Sequence, residues 1–447
     1  MTTGDPISAF VKAACVPLDS GHASGNLDEA NRLLAAHPDI GTASIFTAAI
    51  LGDSGEVREA IALDRAAATA KGGAHGWDPL TYLCFSRYLA QDPARSSGFV
   101  DAATALLDAG ASANTGFYEP SHQPQPALET VLYGAAGVAH HPELTRLLLQ
   151  RGADPNDGEV AYHAPESDDN RALILLVESG KMTPQNLAMM LVRKHDWHDY
   201  DGAKYLLEHG VSPNGAPPAG WQPFHHAIKR DNSREMIALV LDHGGDPERV
   251  SEGMTVTARA AVRGRADVLR MLEEREFPLL LEGAGRLIAA CALNDSGAVR
   301  ATRAQNPGIA KTVLGRGGDL ISIFAGNGNI EGIRLLVDLG VPVNARYRDG
   351  DGYWGIAPQS TALHVAAWRA EHATVKGLLA LGADVHAKDQ QGRTPLALAV
   401  KACVNSYWTW RRAPDSVRAL LAAGAAAREA PFPTGYEEVD ALLEAAR

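Results

Sequence analysis

The sequence has few cysteines and none that are paired by spacing. Cys15, Cys84, Cys291 and Cys403 are its four, scattered with no CxxC among them, so neither a disulfide framework nor a thiolate zinc site is indicated. Nowhere do about 18 apolar residues run together, the least that spans a bilayer as a helix. The first residues, MTTGDPISAF, lack the basic-then-apolar order of a secretory signal. No membrane partner is expected, and the cytoplasm is the default compartment. Positive charge is in deficit, with 41 Lys and Arg against 53 Asp and Glu and a net charge of -12. Such a chain repels a phosphate backbone, since nonspecific nucleic-acid affinity comes mostly from Lys and Arg displacing counterions. No nucleic-acid partner is expected.

Catalytic signatures are missing as well. No GxSxG, Walker loop, HExxH or dinucleotide fingerprint stands at a strand-to-helix junction. Asp349-Gly350-Asp351-Gly352 lacks the further carboxylates and closing Glu of a calcium loop. No metal and no cofactor is expected. Aromatics are only 6% of a composition that is 46% hydrophobic and rich in Ala, which predicts a folded protein of closely packed, thin helices. The abundance of Ala, Arg, Gly and Asp fits a GC-rich bacterial source.

What the sequence does contain is repetition. At 447 residues it is too long for one ordinary core, and about three domains are expected unless the chain is an array. Amphipathic segments recur with one ending: LLDAGASAN at Gly110, LLLQRGADPN at Gly152, YLLEHGVSPN at Gly210, LLVDLGVPVN at Gly340 and LLALGADVHA at Gly382, with related copies at Gly180, Gly244 and Gly424. Weaker copies near His37, Arg65, Glu276 and Gly308 fill the gaps and bring the tally to about twelve. Gly210 to Gly244 is a step of 34, whereas Gly340 to Gly382 and Gly382 to Gly424 are steps of 42, so the longer units carry insertions.

Each unit reads as two short antiparallel helices. Leu363, Ala366 and Ala367 share one helical face, and Val375, Leu378 and Leu379 share another. Gly382 can take the left-handed conformation that ends a helix. Thr394-Pro395 starts the next, Thr as cap and Pro where no N–H is needed. One pair cannot bury its own apolar faces, so neighbours must stack in an elongated, nearest-neighbour array. Thr361-Ala362-Leu363-His364-Val365-Ala366-Ala367 followed by Gly382-Ala383-Asp384 resembles the ankyrin repeat, and looser copies include Gln222-Pro223-Phe224-His225-His226-Ala227 and Gly152-Ala153-Asp154-Pro155-Asn156. The resemblance covers roughly residues 20 to 428. It implies an all-α solenoid of stacked helix pairs with hairpin-like loops. Residues 1-40 are expected to form an N-terminal capping repeat, 41-428 the array, with insertions near 66-100, 112-127, 345-358 and 403-415, and 429-447 a C-terminal capping helix.

The resemblance implies a structural role for His225 and His364, tying neighbouring loops. It places the residues after the Ala-Ala pair, and those just before Thr-Pro, on an exposed concave face. Trp368 and Arg369, Lys229 and Arg230, and Trp221 occupy these positions, and Trp and Arg are favoured interface anchors. The insertions add Tyr353 and Trp354, then Trp408, Trp410 and Arg411, and long loops on rigid scaffolds carry function. The segment His195-Asp196-Trp197-His198-Asp199-Tyr200-Asp201 reads as a solvated acidic loop in preference to a metal site. The leading function is recognition of another macromolecule, most simply a protein. The alternative is an enzyme or small-molecule receptor whose pocket the inserted loops close.

Overall fold

The computed structural model describes residues 5–19, 21–122, 125–217, 219–406 and 411–447. Helices follow one another in pairs, such as Ala362–Trp368 with His372–Ala380, joined by a short turn, and Pro395–Val404 with Asp415–Ala422. Thr394 Oγ1 accepts the Ala397 N–H at 3.3 Å and Pro395 fills the first helical position, so this helix starts where its cap and proline specify. At the other end of a pair, Gly382 has φ 83° and Gly152 φ 92°, and a Cβ would meet nothing at either site. Backbone conformation alone therefore calls for glycine there.

The two helices of a pair differ in burial. Every residue of Ala362–Trp368 is buried, beyond the single stripe that periodicity implies, because this helix packs against Gly317–Gly326 on one side and Pro395–Val404 on the other. His372–Ala380 buries Thr374, Val375, Gly377 and Leu378 and leaves Lys376 exposed. First helices form the interior, and second helices present one wet face.

The Asn that ends several repeat motifs has a physical role. Asn114 Nδ2–H donates to Gly152 O at 3.1 Å while its Oδ1 accepts the Asp154 N–H at 2.8 Å. Asn156 does the same to Lys181 O (3.0 Å) and the Thr183 N–H (2.8 Å). Asn214 reaches Gly244 O at 2.8 Å, and Asn344 Oδ1 accepts the Asp384 N–H at 2.8 Å. Each Asn thus satisfies backbone groups left over at the end of the following pair, which fixes the spacing between successive units. Antiparallel hairpins lead into some first helices: Gly116–Glu119 with Ala127–Thr130, Val250–Ser251 with Met254–Thr255, and Arg346–Tyr347 with Ser360–Thr361.

The chain divides into two compact units, Met1–Ala227 with Leu239–Gly245, and Ile228–Ala238 with Asp246–Arg447. Within each, cohesion is not confined to nearest neighbours, contrary to the expectation for a simple array. In the first unit the stretch after helix Pro6–Ala14 runs beside residues 85–91: the Val16 N–H donates to Phe85 O at 3.0 Å, and Arg87 donates to Ala13 O at 2.6 Å and Ser24 O at 3.2 Å. That strap delivers His22 to Tyr133, 111 positions away. In the second unit, side chains at 231, 263, 327 and 369, all at the ends of first helices, meet at one point.

Candidate functional site

The second unit gathers most of the residues singled out by sequence, but not as an exposed patch. The loop between Tyr347 and Ser360 folds back over helix Ala362–Trp368, closed by the isolated bridge Asp351↔Ile356. Trp354, Trp368 and Arg369 are only 4%, 5% and 5% exposed, so the expectation that they face solvent is corrected: the insertion itself covers them. Trp368 Nε1–H donates to Trp354 O at 2.6 Å, and the Arg369 guanidinium lies 4.4 Å from the Trp354 ring centre. Beneath them Asp231 takes Arg369 Nη1–H at 2.6 Å, both Nε–H and Nη2–H of Arg263 at 2.5 Å, and Asn327 Nδ2–H at 3.0 Å. Burial works against the Asp231 carboxylate, yet the two guanidiniums outweigh it and hold its pKa far below the carboxylate range.

On this sealed base the half-buried Tyr353 sits edge-on to Trp354 (4.6 Å, 79°), and Arg230 lies 3.6 Å over the Tyr353 ring. Lys229 pairs with Glu252 at 3.4 Å. Arg411 pairs with Glu371 and donates to Arg369 O at 3.5 Å. Trp408 and Trp410 lie outside the described residues.

Trp221 belongs to the first unit. It stacks on His226 (5.7 Å, 24°), whose Nε2 meets Asp196 Oδ1 at 2.7 Å. Asp196 also pairs with Arg193, which pairs with Glu166 and covers the Tyr162 ring at 4.1 Å. Glu166 and Glu159 flank His163 at 2.8 Å and 3.3 Å. Burial opposes a charge on His163, but hydrogen bonds to the two carboxylates outweigh it and raise its pKa to about 9. His163 packs on Tyr133 (5.3 Å), whose Oη meets His22 Nδ1 at 3.0 Å. Beside His22 stand Glu119 and Glu129. The latter is 1% exposed, and burial, then Glu159 and Glu119, push its carboxyl up to about 8. The result is a continuous line of polar side chains from Glu129 to Trp221.

The sequence reading missed this line. Its one local signal was Glu159 four positions before His163, one turn away on helix Glu159–His163; Glu166 comes from the bend after that helix and offered no helical spacing. The segment from His195 is also corrected from a solvated loop. Helix Pro184–Asp196 runs through its first residues, His195 is fully buried with its pKa lowered to about 3 by that burial, and His198 is exposed. Among the described residues the two histidines do not belong to a group of three possible metal ligands. Lys194 is buried too, donating to Asp199 at 2.6 Å and Ser167 O at 2.8 Å. His364 does tie loops: Nδ1 accepts the Thr361 N–H at 3.2 Å, so the Nε2 proton goes to Arg393 O at 3.0 Å. Among the described residues no helix is long and apolar enough to cross a membrane.

The ankyrin repeat family model matches residues 359–390. A search of curated proteins finds no match. Among solved structures, the chain is similar to the ankyrin repeat domain of Bcl-3, described as a unique member of the IkappaB protein family, at 20% identity over 54% of this chain and 98% of that one, with a TM-score of 0.21. It is similar also to the human ASB11 ankyrin repeat domain, at 18% identity over 59% of this chain and 96% of that one, with a TM-score of 0.26.

Proposed function

We propose that this chain, whose residues 359–390 match the ankyrin repeat family model, binds another protein, with the Arg230–Tyr353 surface of its second unit as the principal contact. Ankyrin repeats generally serve protein recognition, so the question is which side chains do it here. The observation that carries the reading is the stack of Arg230 over Tyr353, 3.6 Å from ring centre to guanidinium, resting on buried Trp354. Ordering a long side chain on binding costs about 0.5–1.5 kcal/mol. Here part of that ordering precedes binding, because the cation already stacks on the ring and the ring packs on buried Trp354. Lys229 and Arg411 lie on the same unit, and acidic and aromatic partner side chains fit this chemistry. Trp221, half-buried on His226, is proposed as a contact of the first unit.

The test compares the tagged full chain with Arg230→Ala/Tyr353→Ala, by affinity purification with quantitative mass spectrometry. A partner enriched on the wild type is expected to fall about tenfold or more on the variant, which corresponds to about 1.4 kcal/mol. Arg230→Ala alone should hardly move the thermal midpoint, because a partly exposed cation–π pair contributes only about 0.5–1 kcal/mol to the fold, and it serves as the folded control for the double variant, which also loses the packing of Tyr353 on Trp354. Undiminished capture by the variant overturns the assignment.

A further inference from the structure

We propose that His22, Glu119 and Glu129 of the first unit form a binding site for a divalent transition-metal cation, with zinc the ion best matched to the ligands. This goes beyond partner binding and rests on different residues.

The ligands come from two places. The strap after helix Pro6–Ala14 supplies His22, and the hairpin supplies both carboxylates. Its register pairs Phe117 with Glu129 and Glu119 with Ala127, so Glu119 and Glu129 are diagonal neighbours on one face, within reach of each other's side chains. Phe117 and both glutamates on that face are buried, whereas Tyr118 on the other face is 66% exposed. A ring nitrogen of His22 and one oxygen of each glutamate lie within 4.8 Å of one another, and Nε2 to Glu119 Oε2 is 3.7 Å. Tetrahedral ligands on zinc, at bond lengths of about 2.0–2.1 Å, stand roughly 3.4 Å apart. Small side-chain rotations close the difference.

The surrounding groups favour this use. His22 is 6% exposed, and no hydrogen-bond partner reaches its Nε2 among the described residues. A buried ring nitrogen is ordinarily satisfied, and this one faces the Glu119 carboxylate at 3.7 Å. Tyr133 Oη holds the opposite ring nitrogen at 3.0 Å, and Ser121 Oγ–H donates to Glu119 Oε1 at 2.6 Å, leaving Oε2 toward the histidine. Both are the outer-shell contacts that orient metal ligands. One imidazole with carboxylates selects zinc and its first-row neighbours over magnesium and calcium, which prefer all-oxygen sites. Three protein ligands leave a coordination position open to water or to an incoming group.

The experiment is calorimetric titration of the chelator-stripped full chain with zinc chloride, and separately with magnesium chloride. The wild type is expected to take up one zinc per chain and to prefer it strongly to magnesium. Glu119→Gln/Glu129→Gln is expected to lower zinc affinity by about 100-fold or more, and Tyr133→Phe, which removes only the hydroxyl, by about 10–100-fold. Replacing the exposed His386 by Ala should change nothing. Should the double variant not fold, Tyr133→Phe and His22→Gln decide. Lack of saturable zinc uptake by the folded wild type, or unchanged affinity in the folded variants at the site, overturns the proposal.

Discussion

Arg369 Nη1 lies 2.6 Å from Asp231 Oδ2 across 138 positions of sequence, and both side chains are almost wholly buried. Asp231 has φ 52°, a left-handed conformation that Asn also tolerates, so Asp231→Asn isolates the charge from the backbone. The substitution strands Arg263 and Arg369 without their shared counter-ion. A loss of about 3–5 kcal/mol is expected, measured by urea unfolding. A loss below about 1 kcal/mol would mean that water reaches the pair.

His163 makes stability of the first unit depend on pH in one direction. Its folded pKa of about 9 exceeds the unfolded value of about 6.5, so the folded state binds the extra proton between them. The contribution is complete below about pH 6.5 and lost as pH rises through 9. His163→Gln should therefore cost about 2 kcal/mol at pH 6, discounted for partial exposure, and little at pH 9.5. Unfolding curves of both proteins at the two pH values check this.

His364 acts in the opposite sense. Burial lowers its pKa to about 4, against the pull of its hydrogen bond to Arg393 O. Unfolded histidine binds a proton first as pH falls, so stability present above about pH 6.5 is lost toward pH 4. The wild type should lose about 2–3 kcal/mol to this one group across that window, and His364→Gln should lower the slope by that amount. Parallel slopes for the two proteins would refute the assignment.

The Asn contacts between successive pairs predict a local effect. Asn156→Ala removes the donor to Lys181 O and the acceptor of the Thr183 N–H. With net values of about 0.5–1.5 kcal/mol for each bond, a loss of about 1–3 kcal/mol is expected. Amide exchange at Thr183 should speed up while exchange in helix Pro142–Gln150 is little changed.

What could be read from sequence is what residues decide locally. The left-handed Gly382, the Thr394-Pro395 start and the loop-tying His364 each depend on a few neighbours in the chain, and each stands in the structure as expected. Trp354, Trp368 and Arg369 were misplaced on the surface because their burial depends on a loop turning back over its own helix, which the repeat pattern does not encode. His22 gave no signal for a similar reason: its companions lie about a hundred positions on. His195 was misjudged because a polar residue at a helix end looks the same in sequence whether water or the protein interior receives it.

Repeat proteins commonly lengthen or shorten during evolution by duplicating or dropping a unit, since each copy rests only on the next. The Asp231–Arg369 tie withdraws that freedom from everything between its two ends. Removing or adding one helix pair there would change the arc that lets them meet, so the number of pairs in this stretch should be held constant in descendants even where their surfaces diverge.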